Sequence, residues 1–241
     1  MTKPPNTDLR SELVTASHIL FMKSILDGFG HVSARDPDDP DTFLISRNIA
    51  PGLVGREDIM RLDLDGNDVD ASGHRPFLER FIHGSIYRHR PDVNAIVHSH
   101  SASVLPFSIS KSGALQPVMH MSGFLGSRVP VYEVRDHGHE GCDMLIRTAQ
   151  MGDELARSLG SESVVLMRGH GMTVVASDVR LAVFRAVYTE VNARVQVAAQ
   201  SMGEYIALTP EEARAADETN SAQNLRTWTL WETQVSGGLG A

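Results

Sequence analysis

Two histidines on one short apolar segment give the clearest chemical signal in the chain. The segment Ala95–His100 reads Ala-Ile-Val-His-Ser-His, and its first three residues are typical of a buried strand. Alternate side chains on a strand face the same way, so His98 and His100 would project together, close enough to chelate one metal ion. The other interpretation is a pair of surface histidines at a strand end.

A third histidine lies between two strongly apolar segments. His170 stands between glycines in the sequence Arg168-Gly-His-Gly171. Glycines permit a tight turn that leaves the ring exposed. An ordinary glycine turn would explain the same pattern, but a catalytic metal commonly takes three protein ligands and leaves one position open. His170 is therefore a candidate third ligand.

Glu79 precedes the histidine pair, in the first turn of a helix predicted over residues 77–89. A solvated glutamate that favours a helix N-terminus is the ordinary explanation for it. His83 follows one helical turn later on the same face. We interpret His83 as a residue that supports the site or the structure rather than as a ligand.

The elements that must position these residues alternate between helix and strand. Apolar spacing predicts a first helix over 8–27, which Gly28 and Gly30 end. Period-two patterns and turn residues predict strands over 31–35, 42–46, 93–100, 131–134, 163–167 and 172–176, with a hairpin at 64–67. Further helices are predicted over 144–159 and 178–202, and a last one is capped by Thr209. A single α/β domain over 1–241 fits this order, with a disordered tail from about residue 236.

Composition excludes several classes of function. The formal net charge is -8 and no basic block is present, so nucleic-acid binding is not expected. No apolar run has the length of a membrane span, and the first residues do not form a signal peptide. The chain has one cysteine, Cys142, which indicates a reducing compartment, and we expect a cytoplasmic protein.

Two other families with a His-x-His pair do not fit the spacing. A cupin would place a glutamate a few residues after the pair, but Ser101–Pro106 contains none. An amidohydrolase has its pair near the start of the chain, whereas this pair is central.

The ordered set of Glu79, the histidine pair and Gly169-His-Gly171 resembles the class II aldolase/adducin family. The resemblance extends from about Leu13 to Gln200. It implies an αβα sandwich around a central, mostly antiparallel sheet, and a homotetramer with active sites at subunit interfaces. It also implies that His98, His100 and His170 bind the metal, and that Glu79 is the acid/base that can reach the metal as a fourth ligand.

Three segments depart from the pattern of the sugar-phosphate aldolases in this family. Those enzymes bind phosphate with a Gly-Asn-x-Ser segment, a Ser-Gly segment and a Ser-Ser pair before the glutamate. Here the segments read Gly30-His-Val-Ser33, Ile45-Ser-Arg-Asn48 and Phe77-Leu-Glu79. A phosphate dianion needs several convergent donors, and Phe77 and Leu78 offer none. The substitutions argue against a phosphorylated substrate.

The replacing residues indicate a planar, carboxylated substrate. Arg47, next to Ser46, offers a bidentate fork for a carboxylate, His31 offers a second donor, and Phe77 offers a wall for a flat ring. A surface salt bridge for Arg47 and a core position for Phe77 are the ordinary alternatives. His120 could enter the site from a loop. The pattern resembles the branch that includes 3-hydroxy-2-methylpyridine-4,5-dicarboxylate decarboxylase and decarboxylases of dihydroxyphthalate-type and muconate-semialdehyde compounds.

Three functions follow from the resemblance. The first is a metal-dependent decarboxylase of a hydroxy-substituted aromatic or muconate-semialdehyde carboxylate, with Glu79 or His31 as proton donor. The second is an aldolase of a non-phosphorylated hydroxy-keto acid. The third is a non-enzymatic scaffold like adducin, which the intact histidine set disfavours. Mn²⁺ or Zn²⁺ is the expected cofactor, with Fe²⁺ or Co²⁺ as alternatives.

Overall fold

The computed structural model describes residues 8–237, which form β-strands and α-helices. The strands are β1 His31–Arg35, β2 Thr42–Ser46, β3 Ile59–Asp63, β4 Ala95–Ser99, β5 Val131–Tyr132, β6 Val164–Met167 and β7 Gly171–Ala176. The α-helices are α1 Leu9–Met22, α2 Arg80–His89, α3 Leu105–Ile109, α4 Ala149–Leu159, α5 Val179–Met202, α6 Pro210–Ser221 and α7 Asn224–Val235. Ser236 and Gly237 form a turn, and the rest of the predicted disordered tail lies outside the described residues.

Within residues 8–237 the strands form one sheet of seven in the order β3-β2-β1-β4-β7-β6-β5. Every neighbouring pair is antiparallel except β5 and β6, which are parallel. β4 lies at the centre, so the strand that carries the predicted histidine pair is covered on both sides.

Side-chain alternation on the sheet separates two apolar cores. On β4, Val97 belongs to the core shared with α1 and α5, whereas Ile96 belongs to the core shared with α2 and α4. Helices therefore cover both faces of the sheet, as the period-two pattern of buried strands requires. The predicted α/β architecture around a mostly antiparallel sheet is confirmed.

Two predicted helix starts are confirmed with their caps. The side chain of Asp178 accepts a hydrogen bond from the Leu181 N–H at the start of α5. Thr209 and Glu212 form a capping box at the start of α6, and Pro210 is the first helical residue.

The predicted hairpin is only partly formed. The turn after β3 is present, but a single bridge between Leu62 and Asp68 replaces the returning strand. The carboxylates of Asp63 and Asp68 accept hydrogen bonds from the main chain a few residues onward. Such local bonds compete with a strand ladder, which explains the missing strand.

Three helix boundaries differ from the prediction. α1 ends at Met22, because Ser24 adopts a left-handed φ of 57° well before Gly28. α4 begins at Ala149, where the Thr148 side chain caps it. α2 begins at Arg80, so Glu79 precedes the helix instead of lying in its first turn. Among residues 8–237, no helix is long and apolar enough to cross a membrane.

Candidate metal centre and active site

The predicted histidines meet at one end of the central strands. His98 is the fourth residue of β4 and His100 follows the end of that strand. His31, the first residue of β1, pairs directly with His98 across the sheet. Cross-strand partners lie side by side on the same face, and the rings of His31 and His98 are 5.1 Å apart between centroids.

The turn between β6 and β7 carries His170 to the same place. Gly169 adopts a left-handed φ of 65°, which a residue with a Cβ rarely tolerates. A Cβ on Gly171 would collide with the main-chain carbonyl of Ser99, so this turn lies directly against the end of β4. Both glycines therefore have a structural purpose, which is to bring His170 beside His100.

Glu79, which directly precedes α2, is the fourth member of the cluster. The residue is only 7% exposed, so it is not the solvated glutamate of the ordinary interpretation. Its Oε2 lies 3.6 Å from His98 Nε2 and 3.5 Å from His170 Nε2. The Nε2 atoms of His170 and His100 are 3.1 Å apart, and one ligand atom from each of the four residues lies within 4.8 Å of every other.

The donor set fits one divalent ion. Two ligand atoms that are each about 2.0–2.1 Å from a tetrahedral ion lie roughly 3.3–3.4 Å apart, close to the separations seen here. Within residues 8–237, His98 Nε2 is buried and has no hydrogen-bond partner. A buried nitrogen without a partner is unfavourable unless another ligand satisfies it, and a metal ion at the centre of the cluster would do so.

Contacts behind the cluster leave the ligand atoms free for an ion. His98 Nδ1 is 3.3 Å from the hydroxyl oxygen of Thr173, and His170 Nδ1 donates to the Met144 carbonyl at 2.9 Å. When Nδ1 carries the hydrogen, Nε2 presents a lone pair. The Ile146 N–H donates to Glu79 Oε1 at 3.1 Å and leaves Oε2 turned toward the histidines.

The electrostatics of the cluster favour an ionised Glu79 carboxylate beside a neutral His98. Burial raises the pKa of Glu79, but the neighbouring His170, His98 and Ile146 N–H outweigh it and lower the value to about 2. Burial lowers the pKa of His98 well below its ordinary value. Burial also lowers the pKa of His170, but its hydrogen bond to Glu79 outweighs this and raises it.

A cavity of about 330 Å³ opens beside the cluster. It is bordered by His31, Glu79 and His100 and by apolar side chains, among them Phe29, Phe77, Leu78 and Leu145. The ring of Phe77 packs on His31 with 4.5 Å between centroids. The predicted residues His31 and Phe77 therefore lie beside the histidine cluster.

Three predicted substrate residues do not border this cavity. Arg47 donates from Nε to Asp58 Oδ1 at 2.6 Å, in line with the salt-bridge alternative. Ser46 is buried at the end of β2. His120 is exposed and begins a short 3₁₀ helix that packs against α6. Their roles in substrate binding stay predictions, and for Arg47 one nitrogen of the fork, Nε, is already bonded to Asp58.

Several groups at the site had no signal in the sequence. Met144 and Ile146 act through their main-chain atoms, and any residue type offers the same carbonyl and N–H. Thr173 is a strand residue of ordinary type, and only the pairing of β4 with β7 places it opposite His98. Phe29 lies in a turn region whose path the sequence did not predict.

A mostly antiparallel sheet that carries one glutamate and three convergent histidines beside a cavity defines a class of candidate metal-dependent α/β proteins. The chain belongs to the family described as the class II aldolase and adducin N-terminal domain, which matches residues 11–197.

Two similar proteins that match nearly the whole chain are named decarboxylases. The decarboxylase tropJ of Talaromyces stipitatus is 36% identical over 99% of this chain and 98% of its own length. The 3,4-dihydroxyphthalate decarboxylase of Arthrobacter keyseri is 28% identical over 94% of this chain and 92% of its own length. The crystal structure of an aldolase II superfamily protein from Pseudomonas syringae has a TM-score of 0.78 at 24% identity, over 97% of this chain and 94% of that one, and shows the shared fold. Decarboxylase and aldolase relatives together indicate an enzyme of the lyase class.

Proposed function

We propose that the protein is a metal-dependent decarboxylase of a hydroxy-substituted aromatic or muconate-semialdehyde carboxylate. One observation carries the proposal: Phe77 and Leu78 form an apolar wall of the cavity directly before Glu79. A phosphate would need hydrogen-bond donors at this wall, whereas a flat ring would pack on it. The named decarboxylases that match nearly the whole chain support the same reaction.

Four side chains would hold the ion: His98, His100 and His170, with Glu79 as a fourth ligand. Mn²⁺ or Zn²⁺ suits this set best, and Fe²⁺ or Co²⁺ suits it next. When bound, a divalent ion supplies a Lewis acid for the negative charge that develops on a substrate oxygen as the carbon–carbon bond breaks.

Glu79 is the proposed acid/base. Its lowered pKa keeps it ionised before the reaction, so Oε2 can accept the proton of the substrate hydroxyl when it is not a ligand of the ion. After carbon dioxide leaves, the same oxygen returns that proton to the ring carbon. The Ile146 N–H holds Oε1 and keeps the carboxylate oriented throughout.

Release of carbon dioxide tests the proposal. The purified protein, loaded with Mn²⁺ or Zn²⁺, is given a panel of hydroxylated aromatic carboxylates and carboxy-muconate semialdehydes. We expect stoichiometric release that is lost in His98→Ala and His170→Ala but kept in His89→Ala, whose ring pairs with Asp153 away from the cluster. An aldehyde or pyruvate formed from hydroxy-keto acids, without carbon dioxide, would move the protein to the aldolase reaction.

Glu79→Gln separates the acid/base role from metal binding. The amide cannot accept or return the proton, so we expect turnover to fall by at least roughly 100-fold. The three histidines remain, so the metal content of the purified variant should stay close to one ion per chain. Full activity of Glu79→Gln would remove the residue from the mechanism.

We also propose a homotetramer with active sites at subunit interfaces, in the cytoplasm. Light scattering after gel filtration measures the assembly, and a monomer that retains full activity would contradict shared sites. The extent of the single domain over 1–241 stays a prediction.

A further inference from the structure

A line of buried polar side chains extends from His31 away from the cavity. His31 Nδ1 is 2.6 Å from His83 Nε2, and His83 Nδ1 is 2.6 Å from Ser33 Oγ. Ser33 Oγ is in turn 2.7 Å from the hydroxyl of Tyr87. We call these four residues the α2 chain, because His83 and Tyr87 are on α2.

The α2 chain lies in an apolar environment and carries no charge. His83, Ser33 and Tyr87 are at most 1% exposed, and the ring of Phe43 packs on both His83 and Tyr87. Burial lowers the pKa of His83 to about 3 and raises the pKa of Tyr87, with both groups neutral in between. Each of the three hydrogen bonds therefore contains one hydrogen. Which partner donates in each bond is set by the groups at the two ends of the α2 chain.

The hydroxyl groups of Ser33 and Tyr87, at the end far from the cavity, determine which partner donates. Within residues 8–237, Ser33 is the one hydrogen-bond partner of the Tyr87 hydroxyl. If Tyr87 donates to Ser33, then Ser33 donates to His83 Nδ1, and His83 Nε2–H donates to His31 Nδ1. His31 must then carry its own hydrogen on Nε2, the ring nitrogen that is not bonded to His83.

The reverse direction leaves a hydrogen without an acceptor. If His31 Nδ1–H donated to His83, and His83 Nδ1–H to Ser33, then either the Ser33 or the Tyr87 hydroxyl hydrogen would have no acceptor. An unsatisfied polar group in an apolar interior is strongly disfavoured. The first direction satisfies every hydroxyl hydrogen of the chain.

We propose that His83, Ser33 and Tyr87 are positioning residues that fix His31 as the Nε2–H tautomer, so that His31 donates a hydrogen bond to a substrate oxygen in the cavity. The substrate part of this inference rests on the proposed function, but the tautomer does not. His31 borders the cavity and packs on Phe77, where the substrate ring would lie. A neutral imidazole with its hydrogen on Nε2 can bind a carboxylate or phenolate oxygen without releasing a proton, which leaves proton transfer to Glu79.

The test reads the tautomer directly. The ¹⁵N spectra of the histidine rings are recorded for the zinc-loaded protein, and His31→Asn assigns the His31 signals. We expect the hydrogen of His31 on Nε2. A hydrogen on Nδ1 would overturn the proposal, whatever reaction the enzyme performs, so this outcome is independent of the proposed function.

Two variants test the cause. Ser33→Ala removes the hydroxyl that joins Tyr87 to His83. Either direction then leaves His83 Nδ1 unpaired, so neither is favoured and we expect His31 to become a mixture of tautomers. Phe43→Leu is the matched control, because it alters the packing on His83 and Tyr87 without removing a hydrogen bond, and it should leave the His31 spectrum unchanged. A Ser33→Ala spectrum identical to that of the parent would overturn the role of the α2 chain. If Ser33→Ala does not fold, the parent spectrum still decides the direction.

The kinetic consequence is confined to the chemical step. With a substrate from the carbon dioxide assay, we expect kcat of Ser33→Ala to fall roughly two- to tenfold, in proportion to the fraction of His31 in the Nε2–H form, with metal content unchanged. Equal kcat in Ser33→Ala and the parent, alongside a changed tautomer, would overturn the donor role of His31.

Discussion

Two buried polar networks lie on opposite faces of the sheet, and they differ in the kind of group on which each one ends. One is the α2 chain, which begins at the cavity with His31. The other, which we call the α5 network, consists of Asn192 and Gln196 on α5 and their partners. Its amide groups bond mainly to the main chain of residues 114–118.

The α5 network replaces strand pairing for a segment that has no neighbouring strand. Asn192 accepts from the Val118 N–H at 2.9 Å and donates to the Gln116 carbonyl at 2.7 Å. Gln196 accepts from the Gln116 N–H at 3.0 Å and donates to the Ala114 carbonyl at 2.8 Å. Buried main-chain groups need partners, and these two amides supply them.

The difference between the networks lies in what their last bond satisfies. A network that ends on main-chain groups stabilises the path of the chain, so its loss should lower stability and leave the chemistry of folded molecules intact. A network that ends on a histidine beside the cavity determines which ring nitrogen of that histidine carries the hydrogen. Its loss should change the reaction more than the stability.

The largest effect on stability is expected in the α5 network. Asn192→Leu keeps the approximate volume but leaves the Val118 N–H and the Gln116 carbonyl without their partner. We expect a loss of about 3 kcal/mol in the free energy of unfolding, measured by denaturant titration. The His31 tautomer and the kcat of the folded fraction should not change.

Thr189→Val is the matched control for that variant. Thr189 is equally buried on α5, but its hydroxyl bonds to the Arg185 carbonyl within the same helix. Thr189→Val should lower the free energy of unfolding clearly less than Asn192→Leu does. Equal losses in the two variants would contradict the role of the α5 network in holding residues 114–118.

An intermediate effect is expected at Thr173, which contacts His98 from behind. Thr173→Val keeps the shape and removes the oxygen that faces His98 Nδ1. We expect metal affinity to fall by about 10–100-fold with little change in stability, because the contact orients a ligand ring. Competition with a chelator measures the affinity. Thr42→Val, at the start of β2 and away from the cluster, is the control, and equal affinities in all three proteins would rule out the orienting role.

The smallest effect is expected at a third polar group, the Glu154 carboxylate on α4. Burial raises its pKa, but bonds from Gln150, His139 and Tyr132 outweigh this and lower it below the ordinary value. A lowered pKa stabilises the folded state above the ordinary glutamate pKa, and this contribution is lost as the pH falls through the folded-state pKa.

Glu154→Gln should therefore cost about 1 kcal/mol of unfolding free energy at neutral pH. The difference from the parent should shrink as the pH falls from roughly 4, the ordinary glutamate pKa, through the lower pKa of the folded state. Below that second pKa both side chains are neutral. Unfolding curves at a series of pH values measure it. A difference that does not depend on pH would show that the charge of Glu154 contributes nothing.

The sequence by itself determined the strands and the three metal-ligand candidates. Side chains alternate between the two faces of a strand, so the strand pattern of Ala95–His100 was enough to predict that His98 and His100 face the same side. The glycines around His170 indicated a turn because only a residue without a Cβ fits there readily. The same patterns predicted the starts of α5 and α6, since capping depends on a few adjacent residues.

Only the tertiary structure decided which side chains lie together across long stretches of sequence. The pairing of β1 with β4 placed His31 beside His98, and the segment before α4 brought Met144 and Ile146 to the cluster through main-chain atoms that have no residue signature. Arg47 shows the same limit, because a guanidinium fits a substrate carboxylate and Asp58 equally well by type. Local patterns set direction and periodicity along the chain, whereas contacts between distant residues depend on how the sheet and its helices pack.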